Sequence, residues 1–202
     1  MSKVKLKVCG LRDNAQEVIN EINPHLAGFI YYKKSPRYVG DLEVSKIIAT
    51  CKVGVFVNES LERVKELVIK DGLHIVQLHG DESADYCKAL HSHAGVIKVF
   101  SGNEKMDQGL LESYAEDIDY YLFDTRDENF GGTGRSFDWE KLKDIELSKP
   151  VILSGGIGLE EAQQALKMEN LKVYAIDVNS RFEIKPGLKN LEMLKSLKEQ
   201  MQ

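Results

Sequence analysis

The chain has 202 residues, of which 43% are hydrophobic and 29% are charged, a composition typical of a globular protein. Its formal net charge is −5, which argues against nucleic acid or a membrane surface as a partner, because both bind basic surfaces. A small anion can still be bound by local groups. The length suits one domain, and we take residues 1–202 as a single domain.

The sequence shows neither a targeting signal nor a pattern of paired cysteines. The N-terminus lacks the apolar run of a signal peptide, and no stretch reaches the roughly 20 apolar residues of a membrane span. Cys9, Cys51 and Cys87 are odd in number and far apart in sequence, which indicates neither a disulfide framework nor a zinc site. We therefore expect free thiols in the cytoplasm.

Eight short apolar runs rich in β-branched residues recur along the chain. They cover residues 4–8, 26–31, 53–57, 75–78, 96–100, 120–123, 151–153 and 173–178. Runs this short, with apolar residues on both faces, predict strands buried in a parallel sheet.

Segments with helical spacing of apolar residues lie between several of these runs. The clearest are residues 60–70, 83–90, 159–168 and 190–201, and 41–49 follows the same pattern more weakly. Ser60 is placed to cap the first of them. Cys51 and Cys87 fall in helical segments, where a thiol usually only fills space.

Strand–helix alternation with short connections predicts parallel strands with right-handed crossovers. Eight such units favour an α/β fold of the TIM-barrel type, a single (β/α)8 barrel. A doubly wound open sheet is the alternative, although such sheets usually have fewer strands.

Polar residues at the carboxyl ends of the strands are the candidate site, because a barrel's active site forms there. Cys9 follows the first run, and its thiol is either a general base or a buried space-filler. Asp124 follows the sixth, as a general acid with a raised pKa or as a loop anchor.

Other strand ends suggest binding groups. Gly155 and Gly156 precede a predicted helix, so backbone amides and the helix N-terminus can bind a phosphate. Arg37, in a loop fixed by Pro36, suits a carboxylate unless it is a surface arginine. His79 follows the fourth run, where we expect it to shape the pocket.

A polar, glycine-rich segment of about fifteen residues follows Asp124, longer than most connections in compact domains. Its glycines Gly131, Gly132 and Gly134 favour a lid over a surface excursion. Phe137 and Trp139, just after them, are interpreted as lid anchors or core residues.

Taken together and in order, the motifs resemble those of the phosphoribosylanthranilate isomerases, enzymes of tryptophan biosynthesis. The resemblance covers nearly the whole chain. Its motifs are K-V-C-G (7–10), G-F-I-Y-Y-K-K-S-P-R-Y-V (28–39), V-G-V-F-V-N-E (53–59), Q-L-H-G-D-E (77–82), I-K-V-F (97–100), F-D-T (123–125), G-G-T-G-R-S-F-D-W (131–139), L-S-G-G-I (153–157), A-I-D-V-N-S (175–180) and P-G-L-K (186–189).

The resemblance implies the barrel fold and an Amadori rearrangement of N-(5-phosphoribosyl)anthranilate to 1-(2-carboxyphenylamino)-1-deoxyribulose 5-phosphate. It implies Asp124 as general acid, Cys9 as general base and Arg37 as the group that binds the anthranilate carboxylate. The turns at Gly155–Gly156 and Asn179–Ser180 would bind the phosphate, with His79 and the loop carrying Gly132 also at the substrate. No metal or organic cofactor is implied. The expected partner is the small substrate alone, in a monomer or homodimer.

One position departs from the family pattern. The family usually continues D-V-S-S-G-V-E after the eighth strand, whereas this chain has D-V-N-S-R-F-E at residues 177–183. If the family glycine has a positive φ, Arg181 is strained or the turn has another shape. Alternatively, Arg181 reaches the phosphate as an added cationic donor.

Two other functions are open to a chain of this kind. A barrel phosphosugar isomerase such as that of histidine biosynthesis pairs two carboxylates, whereas this chain has a cysteine after its first strand. A catalytically silent phosphate-binding barrel would have no need of Cys9, Asp124 and Arg37 together.

Overall fold

A computed structural model describes residues 4–101, 107–124, 139–142, 145–168 and 171–201 of the chain. Eight parallel strands follow one another around a closed barrel, and the last pairs with the first. They are β1 (Lys5–Val8), β2 (Leu26–Ile30), β3 (Lys52–Phe56), β4 (Ile75–Leu78), β5 (Gly95–Ser101), β6 (Tyr120–Asp124), β7 (Val151–Leu153) and β8 (Val173–Val178). The predicted (β/α)8 barrel is confirmed, and closure rules out the open sheet.

Six α-helices of the described residues lie in the crossovers and after β8. They are α1 (Ala15–Ile22), α2 (Leu61–Asp71), α3 (Ala84–His91), α4 (Gln108–Tyr114), α5 (Leu159–Leu166) and α6 (Leu191–Gln200). Short 3₁₀ segments occur at Val44–Lys46, Trp139–Leu142 and Ser180–Phe182, and a two-stranded hairpin, β9 (Glu183–Lys185) and β10 (Leu188–Lys189), precedes α6. The four clearest helix predictions are confirmed.

Helix ends follow local sequence signals. The Ser60 hydroxyl accepts a hydrogen bond from the Arg63 amide and begins α2, as its position predicted. Gly72, with φ at 62°, ends the same helix in the left-handed conformation that glycine adopts most readily. Asn190 caps α6 through the amide of Met193.

The helix predicted at residues 41–49 is wrong, since only the 3₁₀ turn Val44–Lys46 forms there. The Val44 carbonyl accepts a hydrogen bond from the buried Lys52 ammonium at 2.9 Å, and the Ile48 amide donates to the Gln16 side chain. In an α-helix these two backbone groups would bond to each other. The helical placement of Cys51 is wrong as well, because that residue directly precedes β3.

Apolar side chains form two layers. One cluster, Leu26, Val53, Ile75, Ile97, Val99, Leu122, Ile152 and Ala175, fills the inside of the barrel. A larger cluster packs the outer faces of the strands against the helices and includes Trp139, which is a core residue. Because the interior is filled, ligand chemistry is restricted to the mouth where the strands end.

None of the helices in the described part of the chain has the length and apolar character needed to cross a membrane.

Candidate active site

The predicted site residues lie around one mouth of the barrel, since parallel strands end on the same side. Cys9 follows β1, Arg37 lies in the loop after β2, His79 follows β4, Asp124 ends β6, Gly155 and Gly156 follow β7, and Asn179 and Ser180 follow β8. The glycine-rich segment with Gly132 lies outside the described residues.

Cys9 is held rigidly between β1, β2 and β8. Its amide donates to the Val178 carbonyl at 2.9 Å, and its side chain is buried. Gly28 on β2 leaves the space it occupies, because a Cβ at Gly28 would lie 2.9 Å from the Cys9 Cα and 3.0 Å from Sγ. Any larger residue at position 28 would displace the thiol.

The electrostatic surroundings of Cys9 act in opposite senses. Burial raises the pKa of its thiol, and the nearby Asp177 carboxylate raises it further. Lys7, Lys189 and the Gly10 amide lower the pKa, but their combined effect is smaller. The thiol form therefore predominates at neutral pH, and the nearby cations determine how easily the thiol ionises to the thiolate.

A second buried network lies beside Cys9. The Arg37 guanidinium donates through Nε and Nη2 to the Glu183 carboxylate, with the Nη2 contact at 2.7 Å. The Lys189 ammonium donates to Glu183 Oε1 at 2.8 Å and to Asn179 Oδ1 at 2.7 Å. Burial raises the pKa of Glu183, but Arg37 and Lys189 outweigh burial and hold it below its usual range.

Gly10 brings this network against the cysteine. It has a φ of 70°, and a Cβ there would lie 2.7 Å from Asn179 Oδ1 and 2.8 Å from Arg37 Cδ. A side chain at position 10 would therefore push the Arg37 and Asn179 side chains away from their present positions. After the role that the sequence predicts for Cys9, we call Cys9, Lys7, Asp177, Arg37, Glu183 and Lys189 the base side of the site.

Asp124 and His79 lie on another part of the rim. The His79 Nε2 is 3.7 Å from Asp124 Oδ2, and its Nδ1 is 3.4 Å from the Gln77 side-chain amide. The β4 loop beneath His79 is fixed by a buried ion pair, in which Lys98 contacts Glu82 at 3.1 Å and donates to the Gly80 carbonyl. His79 is thus oriented toward the Asp124 carboxylate.

The turn after β7 contains two consecutive glycines in the left-handed region. Gly155 and Gly156 have φ angles of 90° and 66°, and α5 begins three residues later. Arg181 lies over the start of α5, because its Nη1 is 3.7 Å from a Cβ built at Gly158 and 3.6 Å from Glu161 Oε1. After the ligand that the sequence predicts there, we call Gly155, Gly156, Glu161, Ser180 and Arg181 the phosphate side.

Arg181 is not strained. It lies in the 3₁₀ turn Ser180–Phe182, and among the described residues only Asn23 and Asn58 have a positive φ without being glycine. The strain alternative is therefore wrong.

The sequence interpretation gave no role to four charged residues of the site. Lys7, Asp177 and Lys189 are buried and Glu183 is partly buried, and they pair with each other or with Arg37. A signal was present in two of them, since Lys7 and Asp177 lie in strands whose other charged residue, if any, is Lys5. Charged residues inside such runs are rare unless they are paired.

Comparisons with known proteins agree with this geometry. Residues 6–200 match the model of a protein family described as N-(5'phosphoribosyl)anthranilate (PRA) isomerase. An N-(5'-phosphoribosyl)anthranilate isomerase from Parabacteroides distasonis is 38% identical over 205 residues, covering 97% of this chain and 92% of the relative.

Solved structures are similar over the same length. The phosphoribosyl anthranilate isomerase of Thermotoga maritima is 28% identical, with a TM-score of 0.84 over 98% of each chain. Another such isomerase, bound to reduced 1-(o-carboxyphenylamino)-1-deoxyribulose 5-phosphate, is 27% identical, with a TM-score of 0.77 over 97% of each chain.

Proposed function

The chain belongs to the N-(5'-phosphoribosyl)anthranilate isomerase family, and we propose that it performs the family's reaction with Cys9 as general base and Asp124 as general acid. It is an isomerase of the aldose–ketose type in tryptophan biosynthesis, and its reaction is an Amadori rearrangement. The observation that carries the residue assignment is the placement of a buried thiol and a partly buried carboxyl group on one barrel rim.

The first step is ring opening. The protonated Asp124 carboxyl group gives its proton to the ribose ring oxygen as the C1–O bond breaks, and the anthranilate nitrogen supplies the electron pair that forms the Schiff base. His79, which is 3.7 Å from the carboxyl group, orients it. General acid catalysis of this kind contributes typically 10²–10⁴-fold.

The second step is removal of the C2 proton. The Cys9 thiolate takes this proton, and the electrons of the C–H bond form the C1=C2 bond of an enolamine as the Schiff base is neutralised. Protonation at C1 and loss of the O2 proton then give the ketone. Cys9 becomes a thiol and must lose its proton before the next turnover.

The remaining residues bind the ends of the substrate. Glu183 bonds to the Nε and Nη2 of Arg37, so we assign Nη1 to the anthranilate carboxylate. The backbone amides at Gly155 and Gly156, with Asn179 and Ser180, bind the phosphate, and Arg181 adds a cation beside them. Gly132, which lies outside the described residues, is a further proposed substrate contact.

We place the reaction in the cytoplasm, where the free thiols of Cys9, Cys51 and Cys87 stay reduced. The active unit in this proposal is a monomer or a homodimer, because every residue invoked above belongs to one chain.

The test is a steady-state assay with freshly made N-(5'-phosphoribosyl)anthranilate. We expect Cys9→Ala and Asp124→Asn each to lower kcat/KM by about 10²–10⁴-fold. Cys51→Ala is the matched control, since Cys51 lies before β3 and away from the mouth. A parent enzyme that consumes no substrate contradicts the reaction, and a Cys9→Ala variant with near-parental kcat/KM contradicts the base assignment.

A further inference from the structure

Lys7 is a charged side chain in the middle of the barrel. It is fully buried, on β1, and its Nζ lies 2.6 Å from Asp177 Oδ2 on the adjacent β8. Side chains two positions apart on a strand point to the same face, so Lys7 and Cys9 share the inner face of β1. The thiol therefore lies directly above an ion pair.

Stability alone does not account for this ion pair. Moving two charges out of water costs several kcal/mol per ion, and well-packed apolar side chains of similar volume often stabilise a fold equally well or better. Other interior positions of the barrel carry apolar side chains, which supply such packing. A role in the chemistry at the mouth explains why two charges are kept there.

The charged groups that face Cys9 are Lys7, Lys189 and Asp177. Lys189 is bound to Glu183 and Asn179, and burial lowers its pKa despite these partners. Lys7 differs, because although burial lowers its pKa, Asp177 and Cys9 more than compensate and raise it. Lys7 is therefore the cation beside Cys9 that stays charged most firmly.

We propose that Lys7 is a positioning residue for the general base, whose ammonium group, fixed by Asp177, stabilises the Cys9 thiolate. The inference rests on the proposed role of Cys9. Asp177 orients Lys7 and at the same time limits its effect, since its negative charge disfavours the thiolate. The Lys7–Asp177 pair thus sets how readily Cys9 releases its proton after each turnover.

The experiment measures Cys9 ionisation directly. Protein labelled with [3-¹³C]cysteine is titrated, and the Cβ chemical shift of Cys9 is followed by NMR, with the Cys9→Ser spectrum used for assignment. The double variant Lys7→Met/Asp177→Asn removes the pair without leaving a buried unpaired charge. We expect its Cys9 titration to move to higher pH, by roughly a tenfold change in the ionisation equilibrium. Asp177→Asn alone should move it to lower pH.

Lys5→Met is the matched control, because Lys5 is on the same strand, two residues before Lys7, and contacts Tyr174 instead. It should leave the Cys9 titration unchanged, and Lys7→Arg should keep it near the parental position. Titrations that do not move, or that move in the same direction in both Asp177 variants, overturn the proposal.

Kinetics separate this inference from the function on which it rests. The double variant should lose kcat with little change in KM, and the loss should shrink as pH rises, because Cys9 then ionises without help. If the titrations shift but kcat does not follow, Cys9 is not the base, and the Lys7–Cys9 link stands alone. If the parent has no isomerase activity, the titrations still test that link.

Discussion

The base side and the phosphate side of the mouth are built on different principles. On the base side, the Lys7–Asp177 pair is buried and the Arg37–Glu183 pair is partly buried, with contacts of 2.6 and 2.7 Å between charged atoms. On the phosphate side, Arg181 and Glu161 are 3.6 Å apart, and the arginine side chain is 41% exposed. Burial makes the first pairs short and fixed, while exposure leaves the last one loose.

This difference matches the demands that the proposed reaction makes at the two ends of the substrate. Proton abstraction requires a thiol placed to within a fraction of an ångström, and a misplacement of about 1 Å can cost about 100-fold in rate. A phosphate, in contrast, is bound by several amides and cations at once, so each contributes modestly. We therefore expect substitutions to have large effects on the base side and small ones on the phosphate side.

Among substitutions of residues that support the proposed catalytic pair, the largest effect is expected for Gly28→Ala. The added methyl group would lie 3.0 Å from Cys9 Sγ and 2.9 Å from its Cα, so the thiol must shift. We expect kcat to fall roughly 100-fold with KM little changed. Steady-state kinetics on folded protein, verified by circular dichroism, measure this.

Gly54→Ala is the control for Gly28→Ala. Its methyl group would lie 2.5 Å from Leu73 Cδ1 among core residues remote from the mouth. It should lower the midpoint of thermal unfolding while leaving kcat near the parental value. Equal losses of kcat in the two variants would contradict the argument that catalysis depends on the exact position of the Cys9 thiol.

An intermediate effect is expected for Glu183→Gln. The variant weakens the charge-assisted hydrogen bonds that hold Arg37, and a roughly tenfold rise in KM should follow. Glu192→Gln, a change at an exposed glutamate on α6, should leave KM unaltered. An unchanged KM in Glu183→Gln would show that Arg37 needs no such partner.

The Glu183→Gln variant should also change how the stability of the fold depends on pH in the acid range. Burial raises the pKa of Glu183, but Arg37 and Lys189 lower it more, so its folded pKa lies below its unfolded one. Such a group stabilises the fold above its unfolded pKa of about 4.3, and this stability is lost as pH falls through the folded pKa. Denaturant unfolding below that pH should therefore show that the free energy of unfolding falls less steeply with decreasing pH in Glu183→Gln than in the parent.

The smallest effect is expected for Arg181→Gly, which restores the residue usual in the family. Removing an exposed cation should raise KM by roughly two- to fivefold and leave kcat unchanged. Lys185→Met removes an exposed cation from the neighbouring β9 and serves as control. An altered kcat with an unchanged KM would contradict the assignment of Arg181 to the phosphate.

Local patterns were sufficient to predict the strands and most of the helices. The apolar spacing that buries Ala15, Val18, Ile19 and Ile22 in α1 was also present in the sequence, although it was not used. The region 41–49 failed for a different reason. The Lys52 side chain donates hydrogen bonds to the backbone carbonyls of Val44 and Ser45. Lys52 lies outside the segment, so the apolar spacing within residues 41–49 cannot predict this contact.

The site divides in the same way. Cys9, Asp124 and the Gly155–Gly156 turn could be located from their positions at strand ends. The partners of Cys9 and Arg37 could not, because Asp177 and Glu183 lie far away in sequence and meet them only through the β1–β8 pairing. Local periodicity contains no information on which strands will be neighbours.

The pairing of β8 with β1 has a consequence for how the protein is synthesised. Cys9 is synthesised well before Asp177 and Lys189, because it precedes them by most of the sequence. Until β8 is available, β1 and β7 are unpaired sheet edges, and edges of that kind recruit other chains. The Cys9 thiol thus acquires its ionic partners only after β8 and the segment that follows it have been synthesised, so a chain that stops before β8 has the thiol without the charged groups that face it.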